Sequence, residues 1–172
     1  MSASRDTPNP AQVLEISPRA DGWDAFCAIT CEYFAENWPA VKARSETGSP
    51  PFGAELVERY KEGRRGYLML MFDGKPIGFA NVYVQADAGK TVAYVAEFYI
   101  KAKHRRLGCG TKLFNAICQW GRIHSASEVR AEVDPSIPAN RFWSTLGMSM
   151  RAESRNVYSI MVEGARNEDG GR

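Results

Sequence analysis

The fold of this chain is decided by the stretch Ala96-Glu97-Phe98-Tyr99-Ile100-Lys101-Ala102-Lys103-His104-Arg105-Arg106-Leu107-Gly108-Cys109-Gly110. It begins as the end of an apolar strand and continues as a basic loop that contains two glycines. From Gly110 to about Ile123, small and apolar residues recur at the spacing of one helix face. The stretch therefore predicts a strand, a loop and a helix that starts at the glycines.

The predicted loop and helix start have the properties of an anion site. Gly108 and Gly110 carry no Cβ, so the backbone can approach a ligand closely. The unpaired N–H groups of the first helical turn and the positive end of the helix dipole point the same way. Arg105 and Arg106 add two positive charges. We therefore expect a phosphate or pyrophosphate group to bind here.

A dinucleotide-binding motif is the alternative interpretation of these glycines. That motif needs a third glycine, and Leu113 stands at its position. Asp134 does lie at about the spacing of the acidic residue that such a motif requires. The missing glycine and the arginine pair nevertheless favour a different phosphate-binding loop.

Two segments resemble the GNAT superfamily of N-acetyltransferases. Arg105-x-x-Gly108-x-Gly110 matches the family's (Gln/Arg)-x-x-Gly-x-(Gly/Ala) loop. The segment Ser136-Ile137-Pro138-Ala139-Asn140-Arg141-Phe142-Trp143-Ser144-Thr145-Leu146-Gly147-Met148 aligns with a second family motif. Ser136 stands there where Asn is usual, and Trp143 where Tyr is commoner. The resemblance covers residues 67–162 well and the N-terminal part in outline.

The resemblance implies that the loop holds the pyrophosphate of acetyl-CoA and that the strand before it pairs with the pantetheine arm. It implies no metal. The expected cofactor-binding residues are Phe98, Tyr99, Ile100, Arg105, Arg106, Leu107, Gly108, Cys109, Gly110, Thr111, Asn140 and Trp143. The expected reaction is transfer of the acetyl group to a primary amine by direct attack in a ternary complex.

Glu97 and Tyr158 are the expected catalytic residues. Glu97 is an acidic residue in an otherwise apolar strand, where burial would raise its pKa toward that of a useful base. It could instead face solvent, pair with a basic residue or only bind the ammonium group of the acceptor. Trp143 cannot supply the proton that the family's tyrosine supplies, so Tyr158 is expected to act as the acid. Tyr94 and water are alternatives.

The acceptor is expected to be a small-molecule or peptide amine. By resemblance, the N-terminal helices shape its pocket, and the aromatic residues Trp23, Phe34, Trp38 and Phe52 could line it. Core packing is the alternative for each, because aromatic residues at helical spacing usually pack. The departure at Trp143 also leaves open a non-catalytic acyl-CoA-binding or sensing protein of the same fold.

The hydrophobic pattern predicts the order β-α-α-β-β-β-α-β-α-β-β in one α/β domain at 12–163. The strands are predicted at 13–16, 67–72, 76–85, 91–100, 128–134, 148–152 and 156–162, and the other helices at 21–37, 53–62 and 139–146. This order gives a mixed, mostly antiparallel sheet with one parallel pair, formed by 91–100 and 128–134. Residues 1–11 and 164–172 are polar and are expected to be flexible tails.

The composition is that of a soluble globular protein. The net charge of +2 is nearly balanced and predicts no nucleic-acid partner. The chain shows no transmembrane stretch and no secretory signal, so we expect a cytoplasmic protein without a membrane partner. Cys27 and Cys31 share a helix face, but no second ligand pair follows, which favours packing over a metal. A homodimer is common in the resembling family and stays open here.

Overall fold

Seven strands form one sheet in the computed structural model, in the order β1-β2-β3-β4-β5-β7-β6. The structure describes residues 10–38, 51–133, 140–152 and 156–162. The strands are β1 (Gln12–Glu15), β2 (Arg65–Phe72), β3 (Lys75–Asp87), β4 (Lys90–Ile100), β5 (Glu128–Glu132), β6 (Ser149–Met150) and β7 (Val157–Met161). The helices are α1 (Trp23–Asn37), α2 (Pro51–Lys61), α3 (Cys109–Ile123) and α4 (Asn140–Thr145), with a 3-10 turn at Ala102–His104.

The predicted fold class is confirmed. The strands β4 and β5 are parallel, and every other pair of neighbouring strands in the sheet is antiparallel. The parallel pair arises because α3 crosses over between the two strands. None of the helices in the described ranges is long and apolar enough to cross a membrane.

Several predicted element boundaries were wrong by a few residues. The turn predicted at 86–90 consists of Ala88 and Gly89 alone, because both adopt positive φ angles (48° and 78°) and close a two-residue hairpin. The strand predicted at 148–152 pairs only at Ser149 and Met150. Two ends of predicted elements lie outside the described residues, namely Asp134 and Ala139. The expected tails also lie outside them, apart from residues 10 and 11.

The sheet has a hydrophobic cluster on each face. The α3 face packs strand residues such as Val82, Val95 and Ala131 against Leu113 and Ile117. The α1 and α2 face is built from Ile16, Phe26, Ile29, Tyr33, Leu56, Tyr67, Met69, Phe79 and Tyr99. Burial of four consecutive residues of β2, from Tyr67 to Leu70, confirms that this strand is covered on both sides.

Candidate active site

A β-bulge at Ala96 divides β4 into two halves. Val95 is paired with Val82 and Glu97 with Asn81, so Ala96 is the extra residue. The parallel pairing with β5 covers Val92 to Val95 only. From the bulge to Ile100, β4 therefore keeps β3 on one edge and has no partner strand on the other among the described residues.

The open edge presents backbone hydrogen-bonding groups. The N–H of Lys101 donates to the carbonyl of Ile77 in β3 at 2.9 Å. Because successive amides of a strand alternate between its two edges, those of Phe98 and Ile100 face the open edge and that of Tyr99 faces β3. An extended ligand with amide groups can pair with such an edge.

The loop after β4 leads into the start of α3. Gly108 adopts φ 78°, and a side chain there would strain the backbone although no atom lies within 4 Å of a Cβ position. The first helical bond joins the N–H of Lys112 to the carbonyl of Gly108 at 3.0 Å. The amides of Cys109, Gly110 and Thr111 therefore have no acceptor within the helix and can bind an anion.

Packing against α4 leaves no room for a side chain at Gly110. A Cβ at this position would lie 2.8 Å from the ring of Phe142 in α4. The ring of Phe98 in turn lies 5.3 Å from those of Phe142 and Trp143. These contacts hold α4 against the start of α3 and the open half of β4.

Arg105 is engaged by the protein itself. Its Nε donates to the carbonyl of Ile100 at 2.7 Å, its Nη2 contacts Glu36 at 2.5 Å, and its guanidinium lies 5.6 Å from the Tyr99 ring centre. Tyr99 also donates to Glu36. Arg105 thus ties the loop to α1, while Arg106 is exposed beside the start of α3.

Glu97 lies at a cavity on the α1 and α2 face. The cavity has a volume of about 230 Å³. Its lining residues are Phe26, Thr30, Phe34, Glu55, Leu56, Arg59, Phe79, Asn81 and Glu97. Burial raises the pKa of Glu97, and the hydrogen bond from Asn81 and the charges of Arg65 and Arg59 oppose that rise. The other carboxylate, Glu55, is paired with Arg59.

Two residues beside Glu97 were missed by the sequence analysis. The Nδ2 of Asn81 donates to Glu97 Oε2. The Oδ1 of Asn81 accepts from Arg65 Nη1 at 2.8 Å. Asn81 is 1% exposed, within a strand that is otherwise apolar from Ile77 to Val84. The position of Asn81 as a polar residue in an apolar run was the signal that could have indicated a functional role.

The expected acid does not share a face with Glu97. Tyr158 is buried in the cluster on the α3 face, opposite Ala131 in register. Tyr94 accepts from Arg130 at 3.0 Å and stacks on Tyr83. Trp143 is buried among aromatic rings. The side chain of Asn140 lies outside the described residues.

The aromatic residues proposed for the acceptor pocket have different environments. Phe34 lines the cavity. Trp23 stacks on Phe26, and Trp38 packs on Tyr33. The side chain of Phe52 lies outside the described residues. Within the described ranges, no group of three or more His, Cys, Asp or Glu residues could hold a metal ion.

The acetyltransferase (GNAT) family model matches residues 23–148. The chain belongs to the GNAT acetyltransferase family. The match includes β4, the glycine loop and α4, and it confirms the family that the two sequence motifs indicated. No curated protein matches the chain by sequence.

Solved GNAT structures share the fold at low sequence identity. An aminoglycoside acetyltransferase from an uncultured soil metagenomic sample is 20% identical, with a TM-score of 0.66 over 83% of this chain and 94% of that one. AAC(6')-Iy, solved with the bisubstrate analogue CoA-S-monomethyl-acetylneamine, is 14% identical, with a TM-score of 0.64 over 83% and 92%. A GCN5-related N-acetyltransferase from Ralstonia eutropha JMP134 is 16% identical, with a TM-score of 0.65 over 84% and 96%.

Proposed function

We propose that this chain transfers an acetyl group from acetyl-CoA to a primary amine, with Glu97 as the base. The observation that carries the proposal is the position of Glu97. It follows the bulge directly, so its carboxylate lines a cavity while the next residue, Phe98, presents its backbone to the open edge of β4. A base and a cofactor-binding edge are thereby adjacent on one strand.

Acetyl-CoA would be held by backbone groups on both sides of the loop. The amides of Phe98 and Ile100 suit the pantetheine arm, since they face the open edge. The amides of Cys109, Gly110 and Thr111, together with the exposed Arg106, suit the pyrophosphate. The bound thioester supplies an activated acetyl group, which the amine accepts with release of the thiol.

Glu97 would take a proton from the acceptor amine. An ammonium group is not nucleophilic, so it must lose a proton before or during attack. A carboxylate whose pKa is raised by burial is a stronger base than an exposed one. The apolar walls of the cavity, Phe26, Phe34 and Phe79, keep the amine beside this carboxylate.

The cavity favours a compact amine with one positive charge and an apolar body. Of the two carboxylates in its described lining, Glu55 is already paired with Arg59. Glu97 is left as the partner for one ammonium group. An aminoglycoside, the substrate class of the AAC(6')-Iy and metagenomic structures by name, carries several ammonium groups that would each need an acceptor.

Tyr158 remains our proposed proton donor to the thiolate. Its role requires that the thiolate reach the α3 face past the open edge of β4, beyond the last residue that pairs with β5. Water would suffice in its place, because a thiol with a pKa near 8.5 leaves readily as its anion. Replacement of Tyr158 by Phe would distinguish the two routes. A large fall in kcat would indicate protonation by Tyr158, and a small one would indicate protonation by water.

The test is a thiol-release assay with acetyl-CoA over a panel of amines. We expect turnover with benzylamine and phenylethylamine, and less with spermidine or neamine. Calorimetry should show tighter binding of coenzyme A than of NAD. A different result would support the acyl-CoA-binding or sensing protein that the Trp143 departure suggests. In that case coenzyme A would bind, no amine would be turned over, and Glu97→Gln would not change the binding.

A further inference from the structure

We propose that Asn81 is a positioning residue for Glu97 and that Arg65 fixes the orientation of the Asn81 amide. The three side chains come from the neighbouring strands β2, β3 and β4. The inference rests on the proposed function, because it assigns Asn81 a role toward the proposed base.

Hydrogen-bond chemistry fixes the direction of this chain of contacts. A guanidinium group has donors only, so the atom of the Asn81 amide that binds Arg65 Nη1 must be the acceptor Oδ1, at 2.8 Å. The NH₂ of Asn81 is then directed to Glu97 Oε2. The reversed amide would place its NH₂ against the guanidinium and its oxygen against the carboxylate. The contact with Arg65 therefore ensures that the end of the Asn81 amide that faces Glu97 is the NH₂ donor.

Within the described ranges, Arg65 makes no ion pair with a carboxylate. Its guanidinium lies 4.9 Å from the ring centre of Tyr83, and its Nε is buried without a hydrogen-bond partner in the described part of the chain. The ring of Tyr83 and the amide of Asn81 thus hold the positive charge of Arg65 near Glu97, with the Asn81 side chain between the two. Direct contact would have made an ion pair; the amide between them leaves Glu97 a base.

The contact also assigns the two oxygens of Glu97. Because Asn81 binds Oε2, Oε1 is the oxygen available to the ammonium group of the acceptor. Asn81 is nearly fully buried, so its amide has one environment and the carboxylate one orientation. A fixed orientation aligns Oε1 with the attacking nitrogen before the reaction.

Other groups around Glu97 act on its charge as well. Arg59 favours the ionised form, and Glu55 disfavours it. Tyrosine side chains on three elements also interact electrostatically with Glu97: Tyr33, Tyr67 and Tyr83. Asn81, unlike these groups, donates a hydrogen bond to the carboxylate. Its removal should therefore change the pKa of Glu97 through the loss of that bond.

The test is a ¹³C NMR titration of the Glu97 carboxyl in glutamate-labelled protein, assigned by its loss in Glu97→Gln. In Asn81→Ala we expect the pKa of Glu97 to rise by about one pH unit, because a hydrogen bond to a charged group is lost. Arg65→Gln should raise it in the same direction. This readout needs no acceptor, so it is independent of turnover.

Arg64→Gln is the matched control, since it removes the same charge from an exposed neighbouring position. It should leave the Glu97 titration unchanged. If an active amine is found, the acidic limb of kcat/KM should move with the titration in Asn81→Ala, with a larger loss in kcat than in affinity. Thermal melts establish that the variants fold; if Asn81→Ala does not, Asn81→Ser and Arg65→Gln give the same test.

An unchanged Glu97 pKa in folded Asn81→Ala and Arg65→Gln would overturn the inference. That result would leave the acetyltransferase proposal intact if the wild-type protein turns over an amine. Conversely, a shifted pKa with no turnover on any amine would contradict the proposed function and retain the contact of Asn81 with Glu97.

Discussion

Two carboxylates on neighbouring strands of this sheet have opposite environments. Glu97 in β4 is bound by the neutral amide of Asn81 and lines a cavity. Glu128 in β5 is bound by Arg130 through both oxygens, at 2.7 and 3.0 Å, and by Arg151 at 3.2 Å. Burial raises the pKa of Glu97, whereas the hydrogen bonds from Arg130 lower the pKa of Glu128.

The difference shows that the partners of a shielded carboxylate help to set the direction of its pKa shift. Glu97 is partly buried, and the Glu128 side chain is only 8% exposed. Two guanidinium groups stabilise the ionised form of Glu128, so it serves as a structural anion. An amide gives Glu97 orientation without a full opposite charge, so its affinity for a proton is kept.

The largest expected effect is on activity, in Glu97→Gln. Loss of the base should lower kcat/KM by about 10²- to 10⁴-fold. At pH 8 the melting temperature should stay the same or rise, because the variant no longer buries a carboxylate charge. Steady-state kinetics and thermal melts of one preparation measure both quantities.

Glu132→Gln is the control for that variant, since Glu132 is an exposed glutamate at the end of β5. It should retain activity. A Glu97→Gln protein that melts well below the wild type would mean that Glu97 is a structural anion like Glu128, and the contrast between the two would fail.

The second expected effect is on stability, in Glu128→Gln. Arg130 is 12% exposed on its side chain and would lose its main partner. Breaking such a buried pair costs about 3 kcal/mol, or roughly 10 °C in melting temperature for a chain of this size. Values of kcat/KM measured well below the melting temperature should be near those of the wild type.

Much of the fold could be predicted from local sequence signals. Asp73-Gly74 marked a hairpin, and both residues do adopt positive φ angles. The helical period after Gly108 predicted α3, and the crossover predicted the parallel pair. These signals are local, so one sequence suffices to read them.

The geometry of the site could not be predicted because it depends on a bulge. Regular alternation would place Glu97 on the same face as Val95, which packs against α3. The extra residue at Ala96 reverses the alternation and turns Glu97 toward Asn81. Alanine fits a regular strand equally well, so the sequence gives no sign of the bulge.

The partner of Arg105 was equally hidden. The loop motif suggested a pyrophosphate contact, which stays a prediction, while the structure places the guanidinium on Glu36, 69 positions earlier in the chain. Contacts of that separation depend on how α1 packs on the sheet. The structural role of Gly110 against Phe142 follows from such packing too.

A smaller effect, with opposite signs at the two sites, is expected in the pH dependence of stability. The pKa of Glu128 is lowered in the folded protein, so its contribution is present above its unfolded pKa of about 4.3 and is lost as the pH falls through its folded pKa. The pKa of Glu97 is raised in the folded protein. Its contribution to the free energy of unfolding is therefore present below its unfolded pKa of about 4.3 and is lost as the pH rises through its folded pKa.

Melting temperatures of the wild type, Glu97→Gln and Glu128→Gln between pH 3 and pH 8 measure these contributions. The advantage of the wild type over Glu128→Gln should grow with pH. Its advantage over Glu97→Gln should shrink with pH. Parallel curves for the two differences would show that both carboxylates have the same kind of environment.

The smallest expected effect is that of Asp87→Asn. Asp87 is the outer partner of Arg130, and the hydrogen bond from Arg130 lowers the pKa of Asp87. Its side chain is 40% exposed, so water replaces much of the lost contact. The melting temperature should change far less than in Glu128→Gln, and kcat/KM should not change. If Asp87→Asn were as destabilising as Glu128→Gln, the pair of Arg130 with Glu128 would not be the dominant contact. The contrast with Glu97 would then have to be drawn against a carboxylate pair, Glu128 with Asp87, and not against Glu128 alone.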